Sequence, residues 1–314
     1  MADIEDVHVK NRFGKTGHLF NHSLSRRLKD LYLLLDKFFS LLIISSVFIG
    51  ITGFLLPYFS FLLYEINVNY NLLLASFLLT FAVYNLDKVT GIEEDSINVP
   101  ERAGFIEKNK QVIIFAVVIA YITAFALSFL QSHFAIFIIL FPFCTGIVYS
   151  IKISNFRLKD VTGIKNITVA LSWAVIGTFL PLTVSDLPPI LTILIFYFSF
   201  SKLFVNTVLF DVRDIEGDRI NNVRTIPVVF GLNNTRRLLL ILNSTLVPWL
   251  FYSYSSGFFH HYIPVLIFGI IYGYWYIVHF CKEGLKIGKS LDLLVDGEWI
   301  PIALLCFLSK VLAA

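Results

Sequence analysis

"LFDVRDIEGDRINNVRTIPVVFG" occupies Leu209–Gly231, where a long apolar stretch gives way to a polar one. Its first residues continue a hydrophobic segment, yet four acidic residues follow within ten positions, namely Asp211, Asp214, Glu216 and Asp218. A cluster of carboxylates is costly beside a low-dielectric medium, because like charges repel more strongly there. The stretch therefore predicts a helix that leaves a membrane and a cation site at its end.

The rest of the chain has the composition of a membrane protein. Of its 314 residues 57% are hydrophobic, the mean hydropathy is +0.76, and only 15% are charged. An average soluble domain has about 25% charged residues. Nucleic acid binding is excluded, because no basic tract is interleaved with exposed aromatic residues. The composition predicts an all-α, polytopic integral membrane protein.

Nine segments are long and apolar enough to be candidate spanning helices, each with about 20 residues. They lie near 39–64, 69–88, 111–131, 133–153, 166–184, 187–212, 236–256, 262–281 and 296–313. We therefore expect residues 38–314 to form a bundle of nine transmembrane helices. Residues 1–37 are polar and are expected to form a cytoplasmic tail that rests on membrane lipid headgroups.

Basic residues are confined to alternate connections between these segments. All of the 25 Lys and Arg except Lys202 and Lys310 fall in 1–38, 88–110, 152–165, 213–237 and 282–295. By the positive-inside rule, the N-terminus and these loops are cytoplasmic and the C-terminus lies outside. Four charged loops on one face and nearly bare loops on the other suggest a cavity that opens to one side only.

Spacing within the opening stretch indicates what the carboxylates do. Asp211, Asp214 and Asp218 are spaced i, i+3, i+7 and would share one face of a continuous helix. Mg²⁺ prefers hard oxygen ligands and often bridges carboxylates to substrate phosphates. Gly217 predicts that the helix ends there, and residues 221–227 are expected to form a loop in which Pro227 stops any helix.

A second acidic stretch, "YNLDKVTGIEEDSINVPERAGF", occupies residues 84–105 after the second apolar segment. It contains Asp87, Glu93, Glu94 and Asp95, and Gly91 disfavours a continuous helix through them. Carboxylates from both stretches could face each other across a cavity and clamp a diphosphate through Mg²⁺. Basic residues nearby could neutralise its remaining oxygens; they are Arg102, Lys152, Lys165, Arg213, Arg219 and Arg224. The alternative is that both stretches are solvated loops whose charges only set topology.

These residues resemble the UbiA-type intramembrane prenyltransferases. "DVRDIEGDRINNVRTIPVVFG" is similar to the family's second aspartate-rich motif, with three acidic positions and a Thr-x-Pro continuation. Those positions are occupied by Asp211, Asp214, Asp218, Thr225 and Pro227. A third stretch, "YSIKISNFRLKDVTGIKN" at 149–166, is similar to the family's segment after the fourth helix.

The first acidic stretch departs from the family pattern NDxxDxxxD. The trailing "SINVPER" places Asp95 at the last acidic position of that motif. Asp87 then stands where the family has Asn, and Gly91 stands where it has the central Asp. Glu93 or Glu94 could substitute for the missing ligand from a loop.

The resemblance implies a nine-helix bundle with a central acidic cavity and a lateral opening to lipid. It also implies Mg²⁺-dependent transfer of a prenyl group from an allylic isoprenyl diphosphate to a lipophilic or interfacial acceptor. The sequence leaves the acceptor open, with an aromatic ring and a glycerol-type hydroxyl as the two candidates. The alternatives are an ion or small-molecule transporter, and a catalytically inactive family member, which the Gly91 departure favours.

On this interpretation the site residues fall into three groups. The metal ligands are Asp87, Glu94, Asp95, Asp211, Asp214 and Asp218. All of them except Glu94 are also assigned to catalysis. Tyr149 is a further catalytic candidate, because its ring face could stabilise an allylic cation. The substrate-binding candidates are Arg102, Lys152, Lys165, Lys202, Asn206 and Arg224.

Lys202 and Asn206 are unusual because they lie inside the sixth apolar segment. They are spaced i, i+4 and so share a helix face, whereas Asp211 is about 180° away from Lys202. A buried ammonium group needs a partner. It either contacts the substrate in the cavity or forms a structural ion pair with a neighbouring helix, and the sequence leaves both open.

Overall fold

The computed structural model describes residues 29–150, 162–221 and 223–313, without the side chains of Glu94, Ile97, Asn98, residues 146–150 and Ala313. Every regular element in these ranges is helical. The α-helices are α1 Lys29–Ile44, α2 Val47–Leu63, α3 Tyr70–Thr90, α4 Ile92–Asn98, α5 Pro100–Gln131, α6 His133–Ser150, α7 Ile164–Phe179, α8 Pro189–Arg213, α9 Ile215–Ile220, α10 Ile226–Phe230, α11 Leu232–Ser244, α12 Leu246–Ser255, α13 Ile263–Phe280, α14 Ser290–Leu294 and α15 Trp299–Ala313. Single 3₁₀ turns lie at Pro181–Val184, His260–Tyr262 and Asp296–Glu298.

The chain divides into two compact units, Met1–Ile44 and Ser45–Ala314. In the first unit the described residues form α1, an apolar helix with large exposed side chains such as Leu34 and Phe38. The second unit contains all the other helices. The predicted division into a tail at 1–37 and a bundle at 38–314 stays a prediction, because most of that tail lies outside the described residues.

The predicted all-helical fold is confirmed for the described residues, but the count of nine spans is not. Six helical segments are long and apolar enough to cross a membrane, namely Tyr70–Thr90, Pro100–Gln131, Ile164–Val184, Pro189–Arg213, Leu232–Ser255 and His260–Phe280. A seventh is added if α1 and α2 are counted as one span. The predicted segments at 133–153 and 296–313 also coincide with helices. Their described apolar parts are too short for this criterion, since α15 has 15 residues.

Close packing in the second unit depends on small residues where helices meet. At Gly53 in α2 an added Cβ would lie 2.0 Å from Thr80 Oγ1 in α3. The same approach lets the Ser76 hydroxyl donate a hydrogen bond to the Gly53 carbonyl at 2.5 Å. In the core, the ring of Phe59 lies 5.6 Å from Phe198 and 5.5 Å from Trp299. These contacts join α2, α8 and α15 around one apolar centre.

Two predictions about helix ends in the opening stretch are wrong. The eighth helix ends at Arg213 rather than near Gly217, and α9 resumes directly after Asp214. Asp211, Asp214 and Asp218 therefore do not share one continuous helix. The predicted loop is present at 223–225, but it ends before Pro227, which lies in the first turn of α10 and does not stop a helix. The missing N–H of Pro227 would have no partner in a first turn, so proline is tolerated there.

Candidate active site at the acidic rim

The two acidic stretches, more than 100 residues apart in the chain, lie next to each other in the fold. The short helix α4 carries the first stretch, α9 carries the second, and the two helices pack together. We call the aspartates on these helices and at the adjoining end of α8, namely Asp95, Asp211, Asp214 and Asp218, the acidic rim. Because α3 ends at Thr90 and α4 begins at Ile92, the break at Gly91 separates Asp87 from Asp95.

Asp211 is the most firmly held member of the acidic rim. It lies near the end of α8 and is 1% exposed. Lys165 Nζ lies 2.8 Å from Asp211 Oδ1, and Asn166 Nδ2 donates to Oδ2 at 2.7 Å. Both partners lie in the first turn of α7, which follows Gly163 in a left-handed conformation with φ of 79°. Glycine adopts that conformation without strain, so it sets the direction in which α7 begins.

Two more aspartates of the acidic rim are paired with arginine. Arg213 Nε and Nη2 donate to the two carboxylate oxygens of Asp214 at 2.8 and 3.0 Å. Arg102 makes the same two-pronged contact with Asp95, with Nε donating to Oδ2 at 2.8 Å and Nη2 to Oδ1. Such bidentate pairs are the strongest hydrogen-bonded ion pairs. Three carboxylates of the rim are therefore neutralised by the chain's own cations.

Asp218 has an unpaired oxygen. It lies in α9 and is 9% exposed, and its Oδ2 is buried without a hydrogen-bond partner among the described residues. Burial raises the pKa of the Asp218 carboxyl to about 6; the positive charge of Lys165 opposes the shift, and the negative charges of Asp211 and Asp214 add to it. A buried carboxylate oxygen without a partner is costly. A bound cation would remove that cost.

The raised pKa predicts that cation binding weakens in mild acid. A divalent cation needs the ionised carboxylate, and a pKa of about 6 means that Asp218 is protonated over more of the acidic range than an ordinary aspartate. We expect the apparent affinity for Mg²⁺ to fall about tenfold for each pH unit below 6 and to be level above 7. Titration calorimetry with Mg²⁺ at pH 5 and pH 7.5 measures this. Equal affinity at the two pH values would contradict it.

The donor set of the acidic rim suits Mg²⁺, which takes carboxylate oxygens and retains several waters. Within the described ranges, however, no three Asp, Glu, His or Cys side chains converge closely enough to enclose a metal ion. Mg²⁺ is commonly held by one or two carboxylates together with substrate phosphates and water. The rim therefore fits a cation that arrives with an anionic substrate better than one held by the protein alone.

The remaining predicted site residues are exposed to solvent or lie outside the described part of the chain. Asp87 is exposed at the end of α3, and Arg224 is exposed in the loop before α10. The side chains of Glu94 and Tyr149 and the whole of Lys152 lie outside the described residues.

Lys202 and Asn206 lie deeper in the bundle, facing a segment between α14 and α15. Lys202 is fully buried, and its Nζ lies 2.8 Å from Glu298 Oε2. It also donates to the Gly269 carbonyl and to the Tyr276 hydroxyl, both at 2.9 Å. Asn206 Nδ2 donates to Asp296 Oδ1 at 2.8 Å. Of the two sequence-based alternatives for Lys202, the structure shows the ion pair with a neighbouring segment.

The acidic partners Asp292, Asp296 and Glu298 were not predicted from the sequence. Arg213 Nη1 lies 3.6 Å from Asp292 Oδ2, so all three acidic residues face α8. The available signal was the "VDGEW" run at 295–299, which places two carboxylates at the opening of an apolar segment. Asn166 was noted only as part of the third family-like stretch, and its hydrogen bond to Asp211 was not foreseen.

Thus α8 has two polar faces with different partners. Lys202, Asn206 and Arg213 lie along the face toward Asp292, Asp296 and Glu298. Asp211 lies on the other face, toward α7. These features define a helical membrane protein that presents a partly neutralised carboxylate site at the end of its central helix.

Comparison with known proteins identifies the family. The sequence profile of the UbiA prenyltransferase family matches residues 46–284. Digeranylgeranylglyceryl phosphate synthase of Sulfolobus acidocaldarius is 30% identical over 219 residues, which cover 66% of this chain and 74% of that protein. The enzyme of the same name from Methanosphaera stadtmanae is 25% identical over 214 residues, covering 66% and 75%.

A solved structure shares the fold. The UbiA homologue from Archaeoglobus fulgidus bound to DMAPP and Mg²⁺ aligns with a TM-score of 0.64 over 84% of this chain and 95% of that one, at 18% identity. The family match covers more than half of the residues, so the chain belongs to the UbiA prenyltransferase family. It is therefore an integral membrane prenyltransferase, as the aspartate motifs predicted.

Proposed function

We propose that this protein transfers a prenyl group from an allylic isoprenyl diphosphate, bound with Mg²⁺ at the acidic rim, to a glycerol-type hydroxyl of a lipophilic acceptor. The observation that carries the proposal is the contact of α4, which carries Asp95, with α9, which carries Asp218 next to the charges of Asp211 and Asp214. The two curated relatives are named as synthases of a diprenylated glyceryl phosphate, which supports this acceptor class. An aromatic acceptor is the alternative.

The chain's own residues account for binding of the diphosphate head. Bound Mg²⁺ would neutralise charge that develops on the departing diphosphate. Asp218, whose Oδ2 has no hydrogen-bond partner among the described residues, would hold the cation together with diphosphate oxygens and water. Asp211, Asp214 and Asp95 would become further ligands as their Lys and Arg partners turn to the substrate. Lys165 is 28% exposed at its side chain, so it can turn from Asp211 toward a substrate oxygen while the metal takes its place. Arg102 can make the same exchange on Asp95.

The bundle below the rim accounts for exclusion of water. Helices α2, α7 and α8 pack through fully or nearly fully buried apolar residues, among them Leu56, Ala170 and Val205. An allylic cation reacts with water on contact, so a dry environment directs it to the acceptor. The basic loops that flank the rim place it at the cytoplasmic face in this proposal.

The function is tested with purified protein in lipid nanodiscs. Labelled allylic diphosphates of several chain lengths are supplied with Mg²⁺ and a monoprenylated glyceryl phosphate, and both diphosphate release and the diprenylated product are measured. We expect release and product with at least one chain length and neither without divalent cation. Absence of release with every donor would identify an inactive family member, as the departure at Gly91 allows. Transfer to an aromatic acceptor but not to the glycerol-type lipid would overturn the acceptor assignment.

A further inference from the structure

Asp292 is an acidic residue that lies beside the acidic rim without belonging to either aspartate stretch. It is in the first turn of α14, in the segment between α13 and α15. Its Oδ2 lies 3.6 Å from Arg213 Nη1, and its side chain is 14% exposed. Arg213 in turn holds Asp214 of the rim. A third segment of the chain therefore reaches the candidate cation site through one arginine.

Arg213 uses different nitrogens for its two acidic partners. Nε and Nη2 donate to the Asp214 oxygens at 2.8 and 3.0 Å, whereas Nη1 faces Asp292. The separation of 3.6 Å on the Asp292 side is that of an ion pair rather than of a hydrogen bond. The guanidinium also lies over the Phe210 ring, with Cζ 4.8 Å from the ring centroid. It can therefore leave Asp214 and still be held beside the rim by Asp292 and the ring.

Asp292 is fixed by the packing of the segment that carries it. Its neighbours Leu291 and Val295 are fully buried among apolar residues of α8 and α13. The Tyr272 hydroxyl donates to the Leu294 carbonyl at 3.0 Å, which ties the end of α14 to α13. Asp292 therefore stays in place, and an exchange of partners at this point moves the guanidinium.

Positive charge from a second helix also faces Asp292. Lys88 lies near the end of α3 and is 8% exposed. Among the carboxylates whose charges act on Lys88, Asp292 acts most strongly, ahead of Asp95 and Asp87. Asp292 therefore lies between a cation of α3 and a cation of α8. A purely structural role as the counter-charge of Lys88 is the alternative that an experiment has to separate.

We propose that Asp292 is a positioning residue for cation binding, because it retains Arg213 when a divalent cation takes the Asp214 carboxylate. Without Asp292, freeing Asp214 would leave a guanidinium that is only 10% exposed without its ion-pair partner, which is strongly unfavourable. With Asp292 in place, Nη1 approaches Oδ2 while the edge formed by Nε and Nη2 turns from Asp214 to a diphosphate oxygen. This inference rests on the proposed function and adds a residue of a third segment to its cation site.

The test compares the Mg²⁺ affinity of Asp292→Asn with that of the wild-type protein by titration calorimetry in lipid nanodiscs. The variant keeps the shape of the side chain but removes the charge that competes with Asp214 for Arg213, so we expect the affinity to fall about tenfold. Asp292→Glu restores the charge and should recover most of the affinity. At saturating Mg²⁺ the maximal rate of diphosphate release should change much less than the affinity does.

Arg213→Gln separates positioning from structure. With no guanidinium to displace from Asp214, Mg²⁺ should bind several-fold more tightly than in the wild-type protein, and adding Asp292→Asn should then change the affinity by less than about threefold. If Asp292 only compensates Lys88, Asp292→Asn weakens binding equally in both backgrounds, and that result would overturn the proposal. Wild-type affinity in Asp292→Asn would overturn it as well. A wild-type protein that binds no Mg²⁺ contradicts the proposed function itself, which is a different outcome from either of these.

Discussion

Asp218→Asn is expected to lower Mg²⁺-dependent diphosphate release by at least about 100-fold. The substitution keeps the size of the side chain but removes the buried carboxylate oxygen that has no hydrogen-bond partner among the described residues. It removes negative charge from the position where the charges of Asp211 and Asp214 already act. Steady-state release is measured with saturating allylic diphosphate over a range of Mg²⁺ concentrations.

The matched control for this variant is Asp186→Asn, which changes an exposed aspartate in the loop before α8. We expect it to retain wild-type activity, and both variants to unfold at the wild-type temperature. In Asp218→Asn, the fall in Mg²⁺ affinity below pH 6 should also disappear. Wild-type activity in Asp218→Asn would refute the assignment of Asp218 to the cation site.

Lys202→Met is expected to destabilise the folded protein by about 3–5 kcal/mol. The reason is that Glu298 would then be a buried charge without its cation, in a site where both side chains are fully buried. The cost should be recovered in large part by adding Glu298→Leu, because a buried ion pair replaced on both sides by apolar groups is often nearly neutral. Thermal unfolding in detergent measures all three proteins.

Lys310→Met is the control for Lys202→Met, since it removes the other lysine that lies outside the basic loops. Lys310 lies in the last turn of α15 and is partly exposed, so we expect a change within about 0.5 kcal/mol. Additive destabilisation in the double variant would show that Lys202 and Glu298 do not act as a pair. If Lys202 bound substrate, as one sequence-based alternative held, the double variant would regain stability but not activity.

The acidic rim shows how far sequence reasoning reaches. Spacing singled out Asp211, Asp214 and Asp218, which stay predicted ligands, whereas the class of enzyme is shown by the family match. Helix periodicity correctly indicated that Lys202 and Asp211 face opposite ways. It did not reveal the break after Arg213, because only Asp214 leaves helical backbone angles, with φ of −95° and ψ of 9°, and one such residue leaves the spacing pattern unchanged.

The buried partners of α8 were harder to predict. The need of a buried ammonium group for a partner suggested an ion pair for Lys202. Nothing in the sequence selected Glu298, which is 96 positions away. The choice depends on where the segment at 290–298 docks, and that depends on long-range packing. The pairing of Asp296 with Asn206 has the same origin, since two polar side chains inside an apolar bundle must satisfy each other.

The sequence by itself determined that this chain is a helical membrane protein of the UbiA prenyltransferase family with two aspartate stretches. Hydropathy and residue spacing are local properties, so they can be read without coordinates. Only the tertiary structure decided that α4 lies against α9, that arginine and lysine neutralise three of the rim's carboxylates, and that Asp296 pairs with Asn206. Those arrangements join residues that are distant in the chain, and the packing of helices determines which distant residues meet.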